Sequence, residues 1–402
     1  MRVLFFAGRE HHVLKTINVF QALRERNVEA SYIISSNSLN LDPSSAFIWN
    51  YNVPSRHLHE YANLNTAEKI NHTSYYSQRF SINEELNQYI SPFWISHSVR
   101  EAAETLILGR EMFKHEEPDA FIGLHGANYW TKTLYYLAQK MGIKTYAFQE
   151  GLLRDRDQET MGKQKIAADY VDTLFTWSEL DAQKYVKSGV DSGVVKAIGP
   201  THLDQYAEMR NDREQLVQLK VNVIQSFGLN ISMQKPLITF APPQLHQYKG
   251  NFEEDIKTLA AYVNSLGAEL IIRLHPFNYS SVDSVKKIVK HYDVEFYTNA
   301  DAIPLIAVSD LIVSQHSTMA VESFMLGKLF AEIDLSNAGI LQSFADRGLA
   351  IGIGKGELNK IEEALNGNPD VDLDTLNEWL RVNANLVDGR ATERAVNIIT
   401  GV

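Results

Sequence analysis

An α/β protein of two domains, each built around a parallel, doubly wound sheet, is what this sequence predicts, and three observations lead there. The chain has 402 residues, past the size at which one hydrophobic core usually keeps growing. Short apolar runs alternate with stretches of helical spacing, the pattern of parallel strands joined by crossover helices. The alternation pauses near residue 200 and then begins again.

The first half opens with the apolar run Arg2–Ala7 (RVLFFA), a helical pattern over Leu14–Leu23 and a second run at Val28–Ser35, which together read as a βαβ unit. Further strands are expected at Asp119–Leu124, Lys144–Phe148, Asp172–Trp177 and Val194–Ile198, with a helix over Tyr129–Met141. A charged helical stretch, Leu203–Ile224, leads into the second half. There the strands are expected at Pro236–Phe240, Glu269–Leu274, Val294–Tyr297, Asp310–Val313, Leu329–Ile333 and Leu349–Ile353. The result is two Rossmann-like domains, 1–200 and 201–402, joined near Gly199–Asp204, with terminal helices assigned to the second. In open α/β sheets ligands bind beyond the carboxyl ends of the strands, so two such sheets are expected to face a central cleft. The section Leu39–Glu117 departs from this pattern. It is rich in Asn, Tyr and Ser and carries Trp49, Tyr51, Tyr75, Tyr76, Phe93 and Trp94. It reads as an insertion with helices such as Ser98–His115, either shaping an acceptor side or elaborating the scaffold with ordinary core aromatics.

Composition narrows the function. With 45% apolar and 22% charged residues the chain has ordinary globular usage. A formal net charge of −11 argues against a nucleic-acid backbone as partner, because such binding is driven by clustered Lys and Arg. The lack of cysteine excludes disulfides, thiolate metal sites and a Cys nucleophile, and fits a reducing compartment. No run approaches the ~18 apolar residues of a membrane-spanning helix, and Met1–Gly8 reads as a strand rather than a signal peptide. A cytoplasmic protein is therefore expected, with peripheral contact at the inner face of the cytoplasmic membrane left open for a lipid-linked acceptor. There is no Gly-Lys-Ser/Thr phosphate loop, no Gly-rich dinucleotide fingerprint after the first strand and no His-Glu-x-x-His pattern. Neither a metal nor a resident cofactor is expected.

Four segments at strand ends carry the candidate chemistry. Arg273-Leu274-His275-Pro276 closes an apolar strand. His275 can donate to a phosphate oxygen there, Arg273 adds charge, and Pro276, lacking an N–H, is expected to end the ladder. The plainer alternative is a strand-end His satisfied by backbone groups. Ser314-Gln315-His316-Ser317-Thr318 lies between a strand and the helix expected at Met319–Leu326. Its hydroxyls can simply cap the helix, or together with exposed N–H groups they can bind a phosphate. Three hydroxyls and a His exceed the needs of a cap, so Ser314, His316, Ser317 and Thr318 are read as an anion site. Glu322, one turn further, is placed to accept from ribose hydroxyls or to serve as an ordinary first-turn Glu.

In the first half Gln149-Glu150-Gly151 follows the strand Lys144–Phe148. Glu150 suits removal of an acceptor proton, and Gly151 suits a sharp turn and close approach to a ligand. Arg154 can meet a sugar carboxylate or keep Glu150 ionised. A surface turn with an ion pair in Arg154-Asp155-Arg156-Asp157 is the plain reading. His125-Gly126-Ala127-Asn128 and His11-His12 are weaker acceptor-side candidates of the same kind, with His125 and Asn128 equally suited to a turn and an N-cap.

Taken in order, Glu150-Gly151, His275-Pro276 and Ser317-Thr318 resemble the pattern of bacterial CMP-sugar transferases of the GT-B fold, the sialyltransferases and Kdo transferases. Arg154, three residues after the Gly, is more similar to the β-Kdo transferases of capsule and lipopolysaccharide synthesis. The resemblance spans most of the chain, through motifs that are each short. It implies a glycosyltransferase moving Kdo or a related carboxylate sugar from its CMP donor to an oligosaccharide or lipid-linked glycan. In that scheme Glu150 assists the acceptor hydroxyl, His275, Ser317 and Thr318 hold the CMP phosphate, Arg154 contacts the donor carboxylate and Glu322 binds ribose. One departure concerns stereochemistry. Retaining β-Kdo transferases are thought to use an Asp near the strand preceding His-Pro, whereas Ile238-Thr239-Phe240-Ala241-Pro242-Pro243-Gln244 holds no carboxylate. No nucleophile is assigned, and retention or inversion stays open. Three alternatives stand beside this resemblance. Arg273-Leu274-His275-Pro276 is similar to an element of teichoic-acid CDP-glycerol phosphotransferases, and the stretch from Thr176-Trp177-Ser178 to Gly199-Pro200 resembles the hinge of non-hydrolysing UDP-sugar epimerases. A non-catalytic sugar-nucleotide-binding module is the third.

Overall fold

The structure, a computed structural model, describes residues 1–8, 10–35, 53–62, 92–124, 129–151, 170–210, 212–299, 301–315, 317, 319–339 and 344–402. The chain divides into two compact units, Met1–His202 with Arg390–Val402, and Leu203–Gly389.

The first unit holds a parallel seven-stranded sheet. Its strands are β1 (Arg2–Ala7), β2 (Glu29–Ile34), β3 (Ser55–His57), β4 (Ala120–Leu124), β5 (Lys144–Phe148), β6 (Thr173–Thr176) and β7 (Val195–Ala197), in the order β3-β2-β1-β4-β5-β6-β7. Both faces are covered, which is why the central strands read as continuous apolar runs. Successive side chains of β1 go to opposite cores: Val3, Phe5 and Ala7 join Tyr32, Ile122 and Phe148, whereas Leu4 and Phe6 join Phe121, Leu134 and Tyr135. Strand order reverses between β1 and β4, the switch point at which open α/β sheets gather ligand-binding loops.

The second unit repeats the plan with a six-stranded parallel sheet, β8 (Leu237–Phe240), β9 (Glu269–Ile272), β10 (Glu295–Phe296), β11 (Leu311–Ser314), β12 (Leu329–Asp334) and β13 (Ile351–Gly354), in the order β10-β9-β8-β11-β12-β13. Ile238, Phe240, Leu270 and Ile272 face one core, and Leu237 and Ile271 face another with Tyr297 and Leu305. Here the order reverses between β8 and β11.

Four features differ from expectation. The section 39–117 contains β3, an edge strand too short and polar to show as an apolar run, and the helix Pro92–Glu116, which starts six residues before the expected Ser98. That helix packs on the helix Tyr129–Lys140 so closely that a Cβ on Gly109 would lie 2.5 Å from Leu134 Cδ2. These parts are therefore scaffold of the sheet; Trp49, Tyr51, Tyr75, Tyr76 and the side chains of Phe93 and Trp94 lie outside the described residues. The stretch Leu203–Ile224 is two helices, Asp204–Met209 and Arg213–Phe227, because Asp212 caps the second by accepting from Glu214 N and Gln215 N. Strand β9 ends at Ile272, four residues before Pro276, so Pro276 opens the 3₁₀ turn Pro276–Ser281 instead of ending the ladder.

The fourth difference is the last helix, Ala391–Thr400, which belongs to the first unit. Its buried Ala391, Ala395, Val396 and Ile399 form one face, and the last three join the core beside Phe20 and Leu23. Arg394 Nε donates to the Ile198 carbonyl at 2.7 Å, and Arg26 Nη1 donates to Asn397 Oδ1 at 2.8 Å. Ile399→Val, which deletes one buried methylene, is expected to cost about 1 kcal/mol, read as a lower melting temperature of the first unit alone.

Candidate functional site

In the first unit the site begins at the turn between β1 and the helix Glu10–Glu25. The Gly8 N–H donates to His12 Nδ1 at 3.3 Å. That donor fixes the tautomer of the neutral ring, leaving its proton on Nε2. Nε2 faces Glu150 Oε1 at 3.8 Å, an electrostatic contact rather than a hydrogen bond. The His12 side chain is 2% exposed and that of Glu150 37%, so an enclosed imidazole stands behind a carboxylate that solvent or a ligand can reach. Sequence reasoning gave His12 little weight; its signal was its place one turn into the helix after the first strand.

The turn carrying Glu150 is fixed from within. Gln149, buried after β5, accepts at Oε1 from the Trp177 N–H (2.9 Å), and its Nε2 donates to the Gly151 carbonyl (2.8 Å) and to Asp181 Oδ2 (2.7 Å). Gly151 itself is not in the left-handed region, and among the described residues a Cβ there would meet nothing within 4 Å. The chain does bend at Gly151, without the left-handed φ that would require glycine, and the Gln149 side chain braces that bend. One turn further along the first helix, Lys15 Nζ lies 4.6 Å over the Trp177 ring and 3.5 Å from His202 Nε2. The Thr201 hydroxyl donates to the Lys15 carbonyl at 2.9 Å.

In the second unit the candidates gather at the ends of β8, β9 and β11. Arg273 is buried, with Nη1 4.0 Å from Met319 Sδ at the start of the helix Met319–Met325. This places its guanidinium beside the start of the helix that follows the hydroxyl loop. His275 is half-buried and Pro276 exposed, and the His275 carbonyl accepts from Asn278 N at 2.7 Å. The Ser317 hydroxyl accepts from the Met319 N–H at 3.2 Å, so it caps the helix while keeping its own O–H as a donor. Glu322 is half-buried in the first turn. Ser314 is a correction. Its hydroxyl is fully buried and donates to the Ala241 carbonyl, tying the end of β11 to the end of β8. It is a strut rather than an anion ligand.

Gln315 was missed. It is buried, and its amide closes on Lys249, accepting from the N–H at 2.9 Å and donating to the carbonyl at 2.7 Å, which fixes the loop after β8 against the hydroxyl loop. His125, Asn128, Arg154, His316 and Thr318, like the side chain of His11, lie outside the described residues. Among the described residues no three His, Asp or Glu side chains gather as metal ligands, and no helix is long and apolar enough to cross a membrane.

No protein-family model matches the chain, and no curated protein sequence is similar to it. Solved structures are. The UDP-GlcNAc 2-epimerase of Neisseria meningitidis, bound to UDP-GlcNAc, shares 14% identity over 100% of both chains with a TM-score of 0.62. The Methanocaldococcus jannaschii UDP-GlcNAc 2-epimerase, in complex with UDP-GlcNAc and UDP, shares 16% over 100% of both at 0.59. The wall teichoic acid polymerase TagF shares 13% over 100% of this chain and 88% of its own at 0.61. At such identities the likeness defines the fold: a GT-B-like protein with two parallel-sheet α/β units.

Proposed function

We propose that the chain is a nucleotide-sugar enzyme, in which Arg273, His275 and Ser317 of the second unit hold the nucleotide phosphate and Glu150 of the first unit moves a proton on the sugar. The observation that carries this reading is the His12–Glu150 pair, formed by the chain just after β1 and just after β5 of the first sheet. A reachable carboxylate backed by an imidazole of fixed tautomer is suited to taking a proton and giving it back. Arg273 beside the Ser317 loop supplies the cation and the hydroxyl donor that a phosphate requires.

Epimerisation of a UDP-sugar is the chemistry with most support. The likeness to UDP-GlcNAc 2-epimerases runs over the full length of both chains, and taking the proton from the carbon to be inverted is a step that Glu150 can perform, its return to the opposite face falling to a second group or to solvent. A second reading, transfer of Kdo or a related sugar from CMP to a surface glycan, is supported by the order of Glu150-Gly151, His275-Pro276 and Ser317. CDP-glycerol chemistry draws on the likeness to TagF.

Thermal unfolding with UDP, UMP, CDP and CMP separates the three. A ligand at about 100 times its Kd stabilises the folded state by about 2.7 kcal/mol, which for a unit of this size is a rise of roughly 5–10 °C. UDP is expected to give the largest rise, and proton–deuterium exchange into UDP-GlcNAc, followed by NMR, to report its turnover. A larger rise with CMP or CDP moves the assignment to the corresponding transferase, and no response to any nucleotide removes the reading.

A further inference from the structure

Bonded to Gln149, the residue before Glu150, and unused by the chemistry above, is a buried carboxylate. Asp181 is 1% exposed, in the first turn of the helix Glu179–Lys187, whose N-terminus Ser178 already caps. Its Oδ2 accepts from Gln149 Nε2 at 2.7 Å. Its Oδ1 makes no hydrogen bond among the described residues and lies 4.0 Å from Lys184 Nζ. Burial pushes the Asp181 carboxyl above its ordinary value, with the Gln149 bond, the Lys184 charge and the Ser178 bond pulling the other way. A folded-state pKa above the unfolded one means that ionised Asp181 disfavours the fold at neutral pH, a cost that disappears as pH falls through the raised pKa. A buried carboxyl whose Oδ1 makes no hydrogen bond among the described residues points to a task other than holding the fold.

Its partner shows what that task is. Gln149 N donates to the Phe175 carbonyl at 2.9 Å, anchoring the chain just before Glu150. Gln149 Nε2 holds the Gly151 carbonyl just after it. The amide works in one orientation only. With a carboxylate and a carbonyl on one side and the Trp177 N–H on the other, a flip would set oxygen against both oxygens and N–H against N–H. Asp181 adds a second acceptor on the same side as the Gly151 carbonyl, which deepens the preference for that orientation. We infer that Asp181 and Gln149 are positioning residues for Glu150, Asp181 by fixing the Gln149 amide and Gln149 by fixing the backbone on either side of the carboxylate. This rests on the reading of Glu150 as the proton-transfer group.

The test uses the full chain with Asp181→Asn, Gln149→Leu and the double variant. Amide hydrogen exchange at Trp177 is measured first, because it needs no substrate. Asn at 181 weakens one of the three contacts that hold the Gln149 amide, so exchange is expected to quicken by at least about tenfold while melting at neutral pH is no lower than wild type. With UDP-GlcNAc as substrate, each single variant is expected to lose at least about tenfold in kcat with KM and UDP affinity within about twofold. The double variant should be no worse than Gln149→Leu alone, since both act through one amide. Unchanged Trp177 exchange, a much lower melting temperature for Asp181→Asn, or kcat losses that multiply in the double variant would each overturn the inference. If Gln149→Leu does not fold, exchange and melting of Asp181→Asn decide alone. Glu150→Gln separates the two ideas. Full activity there removes the proton-transfer reading, whereas an inactive Glu150→Gln beside a fully active Asp181→Asn removes only the positioning role.

Discussion

Glu150→Gln is expected to lower turnover of UDP-GlcNAc by about 10³-fold while leaving UDP affinity within about twofold. The magnitude follows from the range for a positioned general acid or base, about 10²–10⁴. The substitution isolates proton transfer from everything else at that position. Glutamine keeps the length of the side chain and presents a carbonyl oxygen where Oε1 now faces His12 Nε2 at 3.8 Å, so the buried imidazole retains a polar neighbour. The backbone should not respond, because the Glu150 turn is held by the Gln149 side chain through Gly151, Trp177 and Asp181. What is lost is the ability to take a proton. Nucleotide affinity should hold because the proposed phosphate contacts lie in the second unit. Separate measurement of kcat, KM and the UDP Kd checks this. A parallel fall in UDP affinity would make Glu150 a binding group, and unchanged kcat would exclude it from the chemistry.

Why Glu150 was legible in the sequence, and Gln149 and Asp181 were not, is a matter of range. A carboxylate next to glycine after an apolar run announces itself within three residues. The role of Gln149 depends on the Trp177 N–H, 28 positions away, and that of Gln315 on Lys249, 66 positions away. Nothing local distinguishes these glutamines from exposed ones. Ser314 shows the same limit from the other side. Its residue type fitted an anion site, yet its hydroxyl is consumed by the carbonyl of Ala241, a partner that exists only once β8 and β11 are paired.

The strands were legible because parallel sheets covered on both faces require nearly every residue of β1, β4, β8 and β11 to be apolar, a signal written locally. β3, with the sequence Ser-Arg-His at the sheet edge, carries no such signal. The helix Ala391–Thr400 shows a clear apolar face, but a face does not name its partner. Only the tertiary structure assigns it to the core beside Phe20 and not to the sheet that precedes it in sequence.

Gly250→Ala is expected to cost the second unit about 2–5 kcal/mol, more than alanine at an ordinary loop glycine. Two terms combine. Gly250 has φ of 101°, in the region where a Cβ costs roughly 1–2 kcal/mol. The Cβ would also lie 2.5 Å from Ser336 Cβ and 2.7 Å from its hydroxyl, an overlap of the kind that costs about 1–3 kcal/mol when the neighbour must move. Ser336 is poorly able to move. Its hydroxyl donates to Asp255 at 2.9 Å and accepts from the Asn251 N–H at 3.1 Å, and Asp255 is held in turn by the Tyr248 hydroxyl at 3.0 Å. Burial, with the Asp255 charge beside it, pushes the Tyr248 phenol well above its ordinary pKa, so it remains a donor throughout the accessible pH range. Displacing Ser336 therefore disturbs a chain of hydrogen bonds that runs from the exposed Asn251 N–H through the Ser336 hydroxyl to the buried Asp255–Tyr248 pair, and it is at the buried end that a lost partner costs most. Gly367 provides the control. Its φ of 84° imposes similar backbone strain, but among the described residues a Cβ there meets nothing within 4 Å. Gly367→Ala should therefore show only the first term. Chemical denaturation of the two variants, compared with wild type, measures the difference. A loss at Gly250 no larger than at Gly367 would mean that the Ser336 network yields, and that the loop bearing Lys249 is not locked from below.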